Sequence, residues 1–172
     1  AWTLRIDGLV SQPLELGIED LLAEPHIPVL KTMQCVVDSN GPQGLVGTAV
    51  WAGVPIRTFL DRAGIDLSRA VRVHMHGADG FTGNSPIGRI YAPEQHVGLV
   101  EPLLVTHMNG QPLPRNHGGP CRVLVHDGFG YACVKWVTRL EVTVDDSDFG
   151  TYQDAGFTDE ARTPVFSKVT AP

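Results

Sequence analysis

The sequence predicts an α+β fold, with mixed β-sheets and short helices in a single domain spanning 1–172. Two observations carry this. Strand-like and helix-like runs are mixed without strict alternation, which argues against a doubly wound parallel sheet. Glycine (19) and proline (13) fall between short apolar runs, dividing the chain into many short elements joined by tight loops. There is no internal repeat and no low-complexity tract. The 172 residues are enough to bury a core of their own.

Taken in order, Leu4, Ile6 and, after Gly8, Val10 alternate with Arg5 and Asp7, as on a half-buried strand. Gly17 to Ala23 predicts a short helix with Glu19 and Asp20 in its first turn, where acids suit the helix dipole. Val29 to Val37 predicts a strand running up to and through Cys35. Pro55 opens a better helix, with Ile56, Phe59, Leu60 and Ala63 on one face and Gly64 at a left-handed C-cap. Val71 to His76 is a strand that breaks at the turn-rich Gly77-Ala78-Asp79-Gly80. Leu99 to Met108 is another, followed by the tight-turn signal Asn109-Gly110. Residues 111–120 form a loop stiffened by Pro112, Pro114 and Pro120. Arg122 to His126 is apolar and β-branched, and Trp136 to Val144 is the last strand, offering Val137, Leu140, Val142 and Val144 to the core. The acidic Asp145-Asp146-Ser147-Asp148 then leads into an irregular C-terminal tail, 145–172.

Composition narrows the function. A net charge of -6 gives no electrostatic footprint for nucleic acid. No apolar run reaches the roughly 18 residues that span a membrane, and no signal-peptide pattern opens the chain. Three cysteines, Cys35, Cys121 and Cys133, cannot all pair within one chain, and none forms a C-x-x-C. Taken alone, Cys121 and Cys133 are expected to be buried structural thiols. His74 and His76 share a strand face, but nothing else in the sequence completes a four-ligand metal set.

The residues that stand out for chemistry occur in a fixed order. Cys35 lies in Met33-Gln34-Cys35-Val36-Val37, followed by Gly47-Thr48-Ala49-Val50-Trp51-Ala52-Gly53-Val54-Pro55 and Asp79-Gly80-Phe81. Then come Asn109 through Arg122, which includes His117-Gly118-Gly119-Pro120-Cys121-Arg122, and Lys135-Trp136. A thiolate is a soft metal ligand. His117, Arg122 and Lys135 are donors suited to an anionic, nitrogen-rich group, Arg as a planar fork and Lys as a point charge. Gly118 and Gly119 allow close backbone approach, and Asp79 is a ready acceptor.

In this order and at these spacings the chain, from about residue 3 to residue 144, resembles the molybdopterin-binding domain of the sulfite oxidase family. The resemblance implies a sulfite oxidase-like fold and a molybdenum cofactor, Mo-molybdopterin, with Cys35 as the metal ligand and catalytic centre. It implies that Gln34, Asp79, Phe81, His117, Gly118, Arg122, Cys133 and Lys135 match cofactor-contacting positions. The implied reaction is two-electron oxygen-atom transfer at the Cys-ligated molybdenum. The substrate would be a small molecule, with an external electron carrier such as a cytochrome or membrane haem subunit, in an extracytoplasmic setting. Sulfite-oxidising members carry arginines soon after the ligand cysteine. Here that stretch is Val36-Val37-Asp38-Ser39-Asn40-Gly41, with an acid and no cation, which disfavours a dianion such as sulfite. The sulfoxide reductase branch often has a carboxylate where Val37 stands, and Phe81 replaces a frequent Tyr and donates no proton. The resemblance further implies either a minimal member or a domain cut from a longer protein. Two rival expectations remain: a non-catalytic module that binds cofactor or partner, and a metal-free enzyme using Cys35 as nucleophile.

Overall fold

The computed structural model describes residues 1–37, 44–92, 100–147, 149–158 and 161–163. Of the residues named above, Asp38 to Gly41, Leu99, Asp148 and, in the predicted tail, 159–160 and 164–172 lie outside the described residues. Among the described residues the strands form two sheets.

The first sheet has the order β2-β1-β10-β5-β6, from β1 (Leu4–Gly8), β2 (Leu14–Leu16), β5 (Arg72–Gly77), β6 (Thr82–Pro86) and β10 (Val137–Thr143). β1 and β10 run parallel, with Ile6 opposite Leu140, and the other pairs are antiparallel. The alternation read in the sequence places Leu4, Ile6, Val73, Met75, Leu140 and Val142 inward. Val10 does not continue β1: Gly8 turns the chain at a φ of +87°, and Val10 makes an isolated bridge to Ile65. Val144 is 55% exposed rather than in the core, because β10 ends at Thr143 and the chain enters the acidic turn there.

The second sheet is built on a long hairpin, β3 (Ile27–Gln34) with β4 (Val46–Pro55), in unbroken register from Ile27 opposite Gly53 to Gln34 opposite Val46. β4 pairs with β7 (Leu103–Met108), and β7 in turn pairs with β8 (Gln111–Pro112) and β9 (Arg122–Leu124). Here the strand limits differ from the sequence expectation, β3 starting two residues before Val29 and both β3 and β9 ending early. β3 stops at Gln34, so Cys35 stands just past its end, and β9 stops at Leu124. The register of β4 shifts between Ala52 and Gly53, where only a residue without a side chain fits against the Leu104 backbone.

Helix α1 (Ile18–Leu22) lies within the predicted span, with Gly17 and Ala23 at its caps. α2 (Ile56–Arg62) buries Ile56, Phe59 and Leu60, as its periodicity requires, and Gly64 follows its C-cap at a φ of +67°. α3 (Ile87–Tyr91) and the strand β6 before it had no clear signal, since Thr82-Gly83-Asn84-Ser85-Pro86 is polar. One apolar cluster draws residues from both sheets and from α2. Each fully buried Leu, Ile or Phe in it contributes about 1.5–3 kcal/mol.

Candidate cofactor site

Four loops meet at one cavity of about 480 Å³, a size suited to a substantial organic ligand. The end of β3 supplies Gln34 and Cys35, and the β5–β6 turn supplies Asp79 and Phe81. The loop before β9 supplies Asn116 and His117, with Arg122 at the start of β9. The connection from β9 to β10 supplies Gly130, Tyr131, Cys133 and Lys135. The structure therefore brings every sequence-predicted site residue except Gly118 to one wall or another of this cavity.

Cys35 is a free, half-buried thiol. Its backbone N–H donates to the Leu45 carbonyl at 3.0 Å, which extends the hairpin by one rung and fixes where the side chain leaves the sheet. Asp79 caps its own turn by accepting the Phe81 N–H at 3.1 Å. The turn is closed by Gly77 N–H to the Phe81 carbonyl at 2.8 Å.

Gly118 shapes the site from behind. It ends a single 3-10 turn, Arg115–His117, at a φ of 105°, a left-handed conformation that favours glycine. A Cβ there would stand 3.0 Å from Lys135 Cβ and Cγ and 3.1 Å from Arg122 Cβ. Without one, the backbone lets the two cationic stems close against it.

Arg122 is buried. Its Nη1 donates to the His117 carbonyl at 2.9 Å, and Nη2 donates to the Cys133 carbonyl at 3.0 Å and lies 3.6 Å from Met33 Sδ. Its guanidinium lies 5.1 Å from the centre of the Trp51 ring. Burial pulls its pKa down, opposed by Cys133, yet a guanidinium keeps its charge throughout the working range. The open-fork reading of Arg122 thus changes: both Nη atoms tie cavity loops together, and only Nε is buried without a partner. Gln34 Oε1 is likewise buried without a partner. Lys135 Nζ donates to the Asn116 carbonyl at 3.3 Å and sits 4.2 Å over the Trp136 ring. Cys133 is buried, with its sulfur accepting the Val125 N–H at 3.3 Å, so its thiol serves the wall from within.

Other residues of the site carried no usable sequence signal. Met33, Val36 and Leu45 give an apolar flank beside Cys35. Tyr131 and Tyr152 face the same space, Tyr152 arriving from the tail. Lys31, two residues apart from Met33 on the inward side of β3, is buried and donates to the carbonyls of His126 and Gly128 at 2.8 and 2.7 Å. Burial lowers its pKa, partly offset by Cys133 and Asp127. It fastens the loop that leads to Gly130 and Tyr131. The His74/His76 pair is used elsewhere. His74 stacks on Phe149 at 3.9 Å, and His76 Nε2 lies 3.6 Å from Glu141. Among the described residues no group of three or more His, Cys, Asp or Glu is placed to hold a bare metal ion.

Residues 1–150 match the family model described as the oxidoreductase molybdopterin binding domain. The chain belongs to that family. Nitrate reductase (NADH) 2 of Phaseolus vulgaris is 31% identical to this molybdopterin-binding domain over 167 residues, covering 86% of the chain and 19% of the relative. Inducible nitrate reductase (NADH) 2 of Glycine max is 31% identical over 173 residues, covering 89% and 19%. The chain thus spans about a fifth of the length of these curated relatives. Among solved structures, the sulfane dehydrogenase SoxCD from Paracoccus pantotrophus superposes with a TM-score of 0.74 at 25% identity, covering 84% of this chain and 38% of that one. The α+β fold is that of this molybdenum-enzyme family, and the molybdenum cofactor is the group the domain takes.

The cavity suits such a group. It has a free soft-ligand thiol, three cationic or imidazole side chains on the opposite loops, two buried polar atoms without partners, and a glycine that lets the cationic loops close.

Proposed function

We propose that the domain is catalytic: a molybdenum-dependent oxidoreductase of the sulfite oxidase and sulfoxide reductase type that carries out two-electron oxygen-atom transfer on a small molecule other than sulfite. When bound, the cofactor supplies a two-electron centre able to take or give an oxygen atom. The chain's own residues do the rest. Cys35 ligates the metal through its thiolate. His117 and Lys135 hold the anionic end of the pterin group, and Gly118 lets that end approach the backbone. Asp79, through the carboxylate oxygen left free by its turn, would accept from the pterin ring, and Gln34 would line the same wall beside the ligand cysteine. Arg122 acts as a positioning residue, since its Nη atoms join the loops bearing His117 and Cys133. Electrons pass to or from an external carrier, such as a cytochrome or a haem subunit.

The observation that carries this reading is the convergence of the free Cys35 thiol with His117, Arg122 and Lys135 on one cavity, although four separate loops supply them. Cys35→Ser tests it in protein made by a host that synthesises the cofactor. We expect the wild type to carry molybdenum and pterin near one equivalent and the variant to lose essentially all metal-centred turnover. The metal–thiolate sulfur from the protein should vanish from the X-ray absorption spectrum. Wild-type protein free of molybdenum after gentle purification, or a variant with the same sulfur coordination, would overturn it.

A further inference from the structure

Phe81, Tyr131 and Tyr152 make one side of the cavity aromatic, and Met33, Val36 and Leu45 make the flank beside Cys35 apolar. The Tyr131 and Tyr152 rings are stacked, with centroids 4.8 Å apart and planes within 5°. Phe81 lies 6.0 Å from Tyr152, and Phe157 lies 5.3 Å from it on a tilted plane.

Tyr152 is held in place from two directions. On one side Thr151 N–H donates to the Thr82 carbonyl at 3.1 Å, Thr82 N–H donates to Thr151 Oγ1 at 3.0 Å, and Asn84 Nδ2 donates to the Phe149 carbonyl at 2.7 Å. On the other, the Tyr131 hydroxyl donates to the Thr158 carbonyl at 2.8 Å and Phe129 N–H donates to the Ala161 carbonyl at 2.7 Å. The tail thus straps the β6 edge to the loop after β9, with Tyr152 between the two fastenings. Residue 152 lies beyond the 1–150 covered by the family model.

The charges of the cavity are distributed unevenly. His117, Arg122 and Lys135 all come from the stretch between the 3-10 turn and β10, and Arg122 and Lys135 already donate to carbonyls there. The stretch from Val36 to Leu45 contains no Lys, Arg or His and one acid, Asp38. A small anion between Cys35 and the rings would meet the apolar Met33, Val36 and Leu45 and an aromatic wall, and desolvating it there is costly. An uncharged molecule with an apolar or aromatic flank would instead gain ring contacts and buried area there. The Tyr152 hydroxyl, which bonds to none of the described residues, would supply a donor for its oxygen.

We infer that Tyr152 is a specificity-determining residue of this cavity, and that with Tyr131 and Phe81 it selects an uncharged oxygenated substrate with an apolar or aromatic flank over a small inorganic anion. The inference rests on the proposed catalytic reading of the same site.

The test is direct binding to the cofactor-loaded full chain by calorimetry, with methyl phenyl sulfoxide as the uncharged probe and nitrate and sulfite as competitors. Wild-type protein should bind the probe saturably, and neither anion at equal concentration should displace it. Tyr152→Ala should weaken the probe about tenfold or more, the equivalent of about 1.4 kcal/mol. Tyr152→Phe, which keeps the stack and drops the hydroxyl, should weaken it less. Molybdenum and pterin content should stay at the wild-type level in both. Should Tyr152→Ala fail to fold, Tyr152→Leu replaces it with the same expectation. Displacement by nitrate or sulfite, absence of saturable probe binding, or a variant that binds the probe as wild type does would overturn the inference. Such a result with full molybdenum content leaves the catalytic proposal standing, whereas molybdenum-free wild-type protein defeats that proposal first.

Discussion

The two sides of the cavity are built by opposite means. The cationic side, with His117, Gly118, Arg122 and Lys135, comes from neighbouring stretches of chain whose residues bond to one another's backbone. The aromatic side brings Phe81, Tyr131 and Tyr152 from three distant stretches, joined by ring stacking and by the fastenings of the tail. The first is short-range and packed to contact distance. The second is long-range, its rings meeting by stacking while the hydrogen bonds that hold them lie at the fastenings of the tail. Damage to the cationic side should therefore reach stability and cofactor retention together, while damage to the aromatic side should change what binds and leave the fold intact.

The largest effect should come from Arg122→Met. It keeps the apolar stem but strips the donors from the carbonyls of His117 and Cys133. The buried Cys133 carbonyl left without a partner costs about 1–3 kcal/mol, and the part-buried His117 carbonyl less. We expect a loss of several degrees in Tm by calorimetry together with depleted pterin. Unchanged Tm would show that the guanidinium does not join the loops.

Gly118→Ala should come next. The φ of 105° and contacts of 3.0–3.1 Å with the Lys135 and Arg122 stems leave no room for a methyl group without movement. The backbone strain alone costs about 1–3 kcal/mol. Denaturant unfolding should show that loss, and pterin content should fall in the same variant. A variant that keeps full cofactor would separate the backbone shape from the binding role.

The contrast also explains what the sequence disclosed. Asp79, His117 and Arg122 sit within two residues of a Gly or Pro, and Cys35 and Lys135 stand in fixed order before and after those motifs, so the ordered pattern marks them before any fold is known. Lys31 gave no sign, because a lysine on an alternating strand normally faces water. Only the approach of the His126 and Gly128 carbonyls turns it inward. Tyr152 gave none either, since a tyrosine in a polar tail is placed by pairing with Thr82 across the molecule. The end of β3 was misplaced for the same kind of reason. Val36 and Val37 have strand propensity, but the paired register with β4 stops at Gln34 opposite Val46, and propensity yields to the partner.

Lys31 offers an intermediate test on the boundary between the two sides, because it anchors the loop that carries Tyr131 and is buried close to Arg122. Its folded-state pKa is lowered from 10.5 by burial. Above that lowered value the unfolded chain holds a proton that the folded chain has lost, so stability gains from this group as pH rises towards 10.5. Lys31→Met removes the buried charge but leaves two carbonyls without their donor, a net loss of about 1–2 kcal/mol. The variant should also lose the alkaline gain relative to wild type, read from paired urea titrations across the alkaline range. An identical pH dependence in both proteins would mean that Lys31 is not a buried cation.

The smallest effect should come from the tail's anchor. His74 stacks on Phe149 at 3.9 Å, its Nε2 is buried without a partner, and burial lowers its pKa below 6.5. Glu141 and Asp145 oppose that shift, while His76 and Arg72 add to it. His76 is shifted the same way, also chiefly by burial. As pH falls below 6.5, the unfolded chain takes up protons that the folded chain still refuses, so stability declines there and is flat above. Each such group contributes at most about 1.4 kcal/mol per pH unit over that window. His74→Phe keeps a ring on Phe149, leaves no donor or acceptor stranded, and cannot take up a proton. It should flatten the acid slope by up to one proton and leave neutral-pH stability within about 0.5 kcal/mol of wild type. If the slope below pH 6.5 is unchanged while the stack is preserved, the acid sensitivity belongs to His76, and the tail is held on the aromatic side without help from the protonation state of its anchor.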